Sequence, residues 1–260
     1  MLVDAHCHFD FPCFDGQRET ILRDFRARQG IGLVIPGVEA ATWSRVQAIA
    51  TEDPMMRYCL GIHPWFVDQH SEADLERLKS MLTSRPTGCV GLGECGLDRL
   101  QGDLAAQQPW FEAQVDLAVE LGLPLVIHSV RTHDEVAATL RRRTLTAPVL
   151  VHAFSGSPEQ ARALTEIGCY LGVGGVITYP RASKTRRAVA AVPLERLVLE
   201  TDAPDMPPEG VPKGDNRPTC LPLIFKALCE LRRETEANLR AQLLANVGAL
   251  YGTSWEMQKS

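Results

Sequence analysis

The chain has 260 residues, a formal net charge of −5 and 45% hydrophobic residues. This composition excludes a disordered tail, a collagen and a coiled coil. The mild acidity gives no sign of a broadly basic surface for nucleic acid, although it leaves room for a small local one. The length suits one or two ordinary domains, and α/β barrels regularly use ~250 residues for a single one.

The N-terminal residues contain neither a basic segment nor a long apolar stretch, and no apolar run along the chain is long enough to cross a bilayer. We therefore expect no signal peptide, no membrane span and a cytoplasmic location. The eight cysteines form no C-x-x-C pair. This pattern predicts reduced, mostly buried thiols rather than a disulfide framework.

Eight short apolar runs recur along the chain, and their near-continuous apolarity is typical of parallel strands that are covered on both faces. They span residues 2–9, 32–38, 57–63, 89–98, 123–130, 148–155, 169–173 and 197–202.

Longer segments with helical spacing lie between these runs. Residues 103–121 carry a helical apolar pattern that Gly122 ends, Ser71 begins a capping box, and Ser157 precedes Pro158 as a helix N-cap. Eight strand–helix alternations predict an α/β fold of the (β/α)8 barrel type, with a doubly wound open sheet as the alternative. Because no linker or repeat divides the chain, we expect one domain over residues 1–260.

Ionisable residues lie in or at the ends of these apolar runs, where burial is costly unless they are paired or bind metal. One such histidine alone is typical of a satisfied core residue. In a barrel, however, the carboxyl ends of all strands meet at one mouth. The set then offers six or seven nitrogen and oxygen ligands, which suits two bridged metals better than one. The eight ionisable residues of the runs, of which all but Glu200 close a strand, are His6, His8, His63, Glu94, His128, His152, Glu200 and Asp202.

Side-chain alternation places His6 and His8 on one side of the first strand, and Glu200 and Asp202 on one side of the last. Arg217, in the loop after the eighth strand, is a candidate phosphate contact. Lys213 is a weaker candidate, and a basic cluster over residues 181–187 is more typical of a solvated helix face.

Other motifs do not carry a function. Residues 91–96 match G-x-G-x-x-G, but no helix start follows the third glycine, which argues against a dinucleotide site. The sequence has no P-loop, no H-E-x-x-H and no G-x-S-x-G. His70 and His133 fall in helical or loop segments, and we expect both to be solvated.

Six motifs in this order resemble the TatD family of metal-dependent deoxyribonucleases, within the amidohydrolase-like barrels. Residues 172–184 and 199–206 resemble the YjjV-like branch of that family. The six motifs are DAHCHF at 4–9, GIHP at 61–64, GECGLD at 93–98, PLVIHS at 124–129, HAFSG at 152–156 and LETDAP at 199–204.

The resemblance implies a distorted TIM barrel, here with C-terminal helices, and a site for two divalent metal ions. One metal would be held by His6, His8, Glu94 and Asp202. The other would be held by His128, His152 and the same Glu94, which would bridge the two.

The resemblance also implies roles outside the ligand set. His63 would stand behind the ligands or touch a substrate phosphate, and Glu200 would orient a ligand or a water. Two positions depart from the family pattern. Val130 replaces a frequent arginine, which puts one substrate contact in doubt, and Cys95 replaces isoleucine without disturbing Glu94.

The expected activity is hydrolysis of a phosphodiester by a metal-activated water, with Asp202 as general base and Glu94 as the bridging catalytic carboxylate. Zinc is the expected metal, with manganese, nickel or magnesium as alternatives. The expected partner is DNA or a small phosphodiester, and the protein is expected to be a monomer. Hydrolysis of a small ester, amide or lactone at the same site is the alternative activity, and a non-catalytic binding protein is a third.

Overall fold

The computed structural model describes residues 1–255 and contains eight parallel strands whose order in the sheet follows the chain. This confirms the predicted strand count. Several strands end earlier than expected, and the last five residues of the predicted domain 1–260 lie outside the described part. The strands are β1 Leu2–Asp4, β2 Gly30–Pro36, β3 Met56–Leu60, β4 Cys89–Asp98, β5 Leu125–Val130, β6 Val149–Val151, β7 Tyr170–Val173 and β8 Leu197–Leu199.

Helices follow the strands on the outside, and two more complete the C-terminal part. Ser71 forms the predicted capping box, Ser157 is the predicted N-cap and also forms a capping box with Gln160, and Gly122 ends its helix in the left-handed conformation. The helices are α1 Arg18–Ala27, α2 Trp43–Thr51, α3 Glu72–Thr83, α4 Leu104–Leu121, α5 His133–Arg141, α6 Pro158–Ile167, α7 Ser183–Ala191, α8 Leu221–Leu231 and α9 Glu236–Tyr251.

Main-chain hydrogen bonds connect the first and last strands and bring the sheet round into a distorted barrel. The N–H of Ala5 donates to the carbonyl of Leu199 at 2.8 Å, and the N–H of Asp202 donates to the carbonyl of His6 at 3.0 Å. The architecture is the predicted (β/α)8 TIM barrel. These bonds also tie the segment after β1 to the segment after β8, and these two segments carry four of the predicted site residues, His6, His8, Glu200 and Asp202.

Two apolar clusters fill the molecule, and strand alternation separates them. On β5, Leu125 and Ile127 pack outward against the helices, whereas Val126 belongs to the cluster that lines the barrel interior. From α9, Tyr251 donates its hydroxyl to the carbonyl of Ala5 and packs in the interior cluster with Trp255, whose ring lies against Gly32 near the amino end of β2. The carboxyl ends of the strands are therefore the open mouth.

All eight cysteines are free thiols and most are buried, as predicted. Within residues 1–255, none of the helices combines the length and the apolar composition needed to cross a membrane.

Candidate metal centre

The mouth of the barrel brings together seven of the residues singled out from the sequence. Glu94 lies within β4 and His128 within β5, His152 directly follows β6, and the others lie in the loops after β1, β3 and β8. All seven side chains are largely buried, and they contact one another. They are His6, His8, His63, Glu94, His128, His152 and Asp202.

Four of these residues form what we call the first cluster: His6, His8, Glu94 and Asp202. Nε2 of His6 lies 3.4 Å from Nε2 of His8, 3.3 Å from Oε2 of Glu94 and 3.4 Å from Oδ1 of Asp202. Nε2 of His8 lies 3.5 Å from each of the same two carboxylate oxygens. Five ligand-type contacts therefore surround one small volume.

The other oxygen of Glu94 belongs to the second cluster, formed by Glu94, His63, His128 and His152. Oε1 of Glu94 lies 2.7 Å from Nε2 of His152, 3.0 Å from Nδ1 of His128 and 3.3 Å from Nε2 of His63. The rings of His6 and His152 stack at 3.9 Å, which holds the two clusters side by side. Glu94 thus offers one oxygen to each cluster.

The spacing within the first cluster fits a bound cation. Four ligands placed tetrahedrally about 2.0–2.1 Å from a metal ion are about 3.3–3.4 Å from one another, and the observed separations are 3.3–3.5 Å. Within residues 1–255, Oε2 of Glu94 and Oδ1 of Asp202 are buried and accept no well-directed hydrogen bond. Buried carboxylate oxygens in this state are suited to a cation.

The carboxylates of the centre are ionised, and a metal ion would replace the proton that they hold on His8. Burial would raise the pKa of Glu94, but the surrounding histidines, His152 first among them, hold it well below its usual range. Burial opposes protonation of His8, yet the carboxylates of Asp202 and Glu94 raise its pKa to about 9. Burial lowers the pKa of His6 to about 4. The centre therefore combines ionised carboxylates with imidazoles, a donor set that suits divalent transition metals.

Two departures from regular strand geometry turn the ligands inward. β1 ends at Asp4, so His6 and His8 lie beyond the strand rather than at its end as predicted. Continued alternation from inward-facing Val3 and Ala5 would turn both histidines outward. Their approach depends on the turn that follows, where the N–H of His8 donates to the carbonyl of Ala203 at 2.9 Å.

The second departure lies in β4. Leu92 and Cys95 both pack in the outer cluster although they are three residues apart, and the register with β5 shifts between them. This irregularity changes the phase of the alternation and leaves Glu94 facing the interior. Cys95 points away from the centre, in agreement with the prediction that it does not disturb Glu94.

Asp98 is part of the centre and was given no role from the sequence. Its Oδ2 lies 3.1 Å from Nε2 of His128 and accepts the indole N–H of Trp65 at 2.7 Å. Burial opposes ionisation of Asp98, but these contacts lower its pKa to about 2. A carboxylate on the far nitrogen of a ligating histidine fixes the ring orientation. Its position at the end of β4, four residues after Glu94, was the available signal.

Two further buried polar residues support the loop that carries Asp202. Asp4 accepts the N–H of Thr201 at 2.9 Å and its hydroxyl at 2.6 Å. The amide of Asn216 donates to the carbonyl of Thr201 at 2.8 Å. These bonds hold the chain directly before Asp202, which itself has a left-handed backbone with φ of 54°. Sequence reasoning had assigned neither Asp4 nor Asn216 a role.

Glu200 is fully buried beside the centre. It accepts the backbone N–H of Ala153, and its carboxylate fills the space where any side chain on Gly172 would lie. Burial, with the negative charge of Asp202, raises the pKa of Glu200 well above its ordinary value. Since Ala153 follows His152, Glu200 holds the turn that presents this histidine.

The remaining predicted residues lie farther from the cluster contacts. Arg217 donates to the side chain of Gln17 at 3.2 Å. Lys184 is exposed at the start of α7. The expectation that His70 and His133 are solvated is wrong. His70 is half-buried and its Nε2 accepts the N–H of Ala40, whereas His133 is only 4% exposed because it packs against Phe154.

Comparison with known proteins agrees with this geometry. The sequence profile of a family described as TatD related DNase matches residues 3–252. The chain is similar to an uncharacterized metal-dependent hydrolase, YjjV of Escherichia coli (strain K12), with 44% identity over 96% of this chain and 97% of that protein. A crystal structure of YjjV, a TatD homolog from the same bacterium, has a TM-score of 0.93 and 42% identity over 97% of this chain and 98% of that one.

A more distant relative carries a more specific description. It is named 3′-5′ ssDNA/RNA exonuclease TatD, comes from Erwinia billingiae, and is 32% identical over 92% of this chain and 94% of its own length.

Proposed function

The chain belongs to the TatD-related DNase family and is a metal-dependent hydrolase, and from this premise we propose that it cleaves phosphodiester bonds in single-stranded nucleic acid. The observation that carries the proposal is the position of Glu94, one oxygen in each cluster. Paired metal sites of this kind serve phosphoryl chemistry in nucleases and phosphatases. The exonuclease relative supports nucleic acid as the substrate.

We assign the ligands accordingly. His6, His8 and Asp202 would hold one divalent ion and His128 and His152 a second, with Glu94 shared and His63 adjacent to the second. Zinc is the metal that this histidine-rich set favours, with manganese and nickel next. Bound there, the ions would polarise a phosphoryl oxygen and lower the pKa of a water molecule.

Asp202 is suited to proton transfer. Its contacts with His6, His8 and His152 all use Oδ1, so Oδ2 is left to accept a proton from an attacking water. Burial opposes ionisation of Asp202, but its contact with His8 and the charges of the neighbouring imidazoles lower its pKa. The carboxylate is therefore ionised at neutral pH and acts as the general base.

The test is an assay of single-stranded DNA, bis-p-nitrophenyl phosphate and a set of lactones, each with and without chelator. We expect chelator-sensitive cleavage of DNA. Selective lactone hydrolysis would contradict the proposal and favour the small-substrate alternative.

The variant Asp202→Asn should lower turnover by about 10²–10⁴-fold while elemental analysis shows a smaller loss of metal. Asp205→Asn is the matched control, because Asp205 is an exposed carboxylate in the same loop. Full activity in Asp202→Asn would remove Asp202 from the base role.

A further inference from the structure

Trp65 is an unusual residue at the rim of the metal centre. It lies in a 3₁₀ turn over Pro64–Gln69, directly after His63, and its side chain is 52% exposed. Large aromatic side chains are seldom left this open, and where they are, they frequently bind a partner. The metal centre uses only the indole N–H of Trp65, which is bonded to Asp98, and leaves the exposed ring face without a role.

The indole of Trp65 is nevertheless held in a fixed position. Its N–H donates to Asp98 at 2.7 Å, and Asp98 in turn contacts His128 at 3.1 Å. The ring also meets the edge of His63 with the centroids 5.1 Å apart. An exposed ring anchored in this way loses little conformational entropy when a ligand stacks on it.

A cavity of about 260 Å³ lies beside the ring, between the turn after β3 and the loop after β4. Its ionisable lining residues are Asp68 and Asp103, and the other residues around it are apolar or neutral. Two carboxylates disfavour an additional phosphate in this cavity, whereas a neutral aromatic base suits both the volume and the indole face.

We propose that Trp65 is a specificity-determining residue that stacks the terminal nucleobase of the substrate in this cavity, next to the scissile phosphate. The inference rests on the proposed nuclease function and adds to it a place for the end of the strand. Base–aromatic stacking tolerates any base, so no sequence preference is expected.

Exposed cations indicate where the remaining strand would run. Arg131 follows β5 and Lys184 lies in the first turn of α7, whereas Arg99, on the loop after β4, is paired with Glu135. The phosphates of the remaining strand would lie on that side, with the terminal nucleoside on the acidic side.

The experiment compares two single-stranded oligonucleotides that differ only at the terminal nucleotide, which either carries its base or is an abasic deoxyribose. The comparison is made once with this change at the 5′ end and once with it at the 3′ end. We expect the wild-type protein to prefer the normal terminus by about five- to a hundredfold in kcat/KM, the range that stacking of one base supplies. Trp65→Leu should lose most of this preference. Trp65→Phe should keep much of it, because a phenyl ring still stacks.

Leu100→Ala is the matched control. Leu100 is 57% exposed on the neighbouring loop but does not line the cavity, so the preference for the normal terminus should stay at the wild-type level. Equal losses on both oligonucleotides in Trp65→Leu, or no preference in the wild type, would overturn the inference and leave the nuclease function standing.

A binding measurement separates the two proposals. In metal-free protein, dAMP should quench the fluorescence of Trp65 and deoxyribose 5-phosphate should not, and the difference should vanish in Trp65→Phe. Quenching without cleavage of either oligonucleotide would disprove the nuclease function and support the base site. Identical quenching in the wild type and in Trp65→Phe would disprove the base site.

Discussion

The two clusters share Glu94 but are held in place in different ways. In the first, main-chain hydrogen bonds position the ligands, since the N–H of Asp202 donates to the carbonyl of His6 and the N–H of His8 to that of Ala203. The Nδ1 atoms of His6 and His8 have no hydrogen-bond partner within residues 1–255. The first cluster is therefore a consequence of how the barrel brings β1 and β8 together.

The second cluster is held by side chains. Asp98 orients His128, Trp65 donates to Asp98, and Nδ1 of His63 accepts the N–H of Trp65 at 3.2 Å. The difference teaches that changes in Asp98 or Trp65 should affect the second cluster selectively. The first should respond to changes in its own ligands and in Asp4 and Asn216, which hold the chain before Asp202.

Glu94→Gln should have the largest effect, because it abolishes the one feature that the clusters share. The amide keeps the shape of the side chain but removes the charge that both clusters use. We expect loss of metal from both clusters and a fall in turnover of at least about 10³-fold. Elemental analysis measures the metal content and the DNA assay the turnover.

Glu120→Gln is the control for Glu94→Gln, because it makes the same change at an exposed site on α4. Retention of one full equivalent of metal in Glu94→Gln would show that Glu94 does not bridge.

Asp98→Asn should separate the clusters. The amide still accepts the indole N–H of Trp65, but the negative charge that faces His128 is gone. We expect affinity for metal at the second cluster to fall by about 10–100-fold, the usual effect of removing such a partner, with the first cluster unchanged. Titration with metal should then show one strong and one weakened site.

Asp116→Asn, at an exposed carboxylate of α4, is the corresponding control. Equal weakening of both sites in Asp98→Asn would contradict the division into a main-chain and a side-chain cluster.

Much of this arrangement could be predicted from the sequence. Eight apolar runs with helical segments between them were sufficient for the barrel, and the convergence of strand ends was sufficient to bring distant histidines together. His128 and Glu200 follow regular alternation from outward-facing Ile127 and Leu199. For these two residues, strand periodicity alone indicates an inward side chain.

The rest depended on local irregularities that periodicity does not reveal. Glu94 faces inward because of the register shift after Leu92, and His6 faces inward because β1 ends two residues earlier. The contact of Asp98 with Trp65 joins the end of β4 to the turn after β3, between two residues that are 33 apart in the chain. Such a pairing depends on the packing of the turn after β3, for which the sequence shows no pattern.

The smallest effect concerns His133, a buried histidine that belongs to neither cluster. His63 has the same low pKa of about 4, but it faces Glu94. Burial, with the charge of Lys184, lowers the pKa of His133 to about 4. Its Nε2 has no hydrogen-bond partner in the part of the chain described, so the fold holds this ring neutral without a compensating carboxylate contact.

The pH dependence of stability follows from this difference. In the unfolded chain a histidine takes up its proton near pH 6.5, whereas folded His133 stays neutral down to about pH 4. The unfolded state therefore binds more protons between these values, and the free energy of unfolding falls as the pH is lowered from 6.5 to 4, by up to about 3 kcal/mol. His133→Gln should remove this part of the pH dependence.

Chemical denaturation at pH 7 and at pH 4 measures the effect as the difference between His133→Gln and the wild type, so that other titrating groups cancel. Lys184→Met provides an intermediate case. Loss of its charge should raise the pKa of His133 and make the decline toward low pH shallower than in the wild type. If the free energy of unfolding falls by the same amount from pH 7 to pH 4 in all three proteins, His133 takes up its proton in the folded state as readily as in the unfolded one. A buried histidine outside the two clusters would then be charged without a carboxylate contact such as the one between Glu94 and His63.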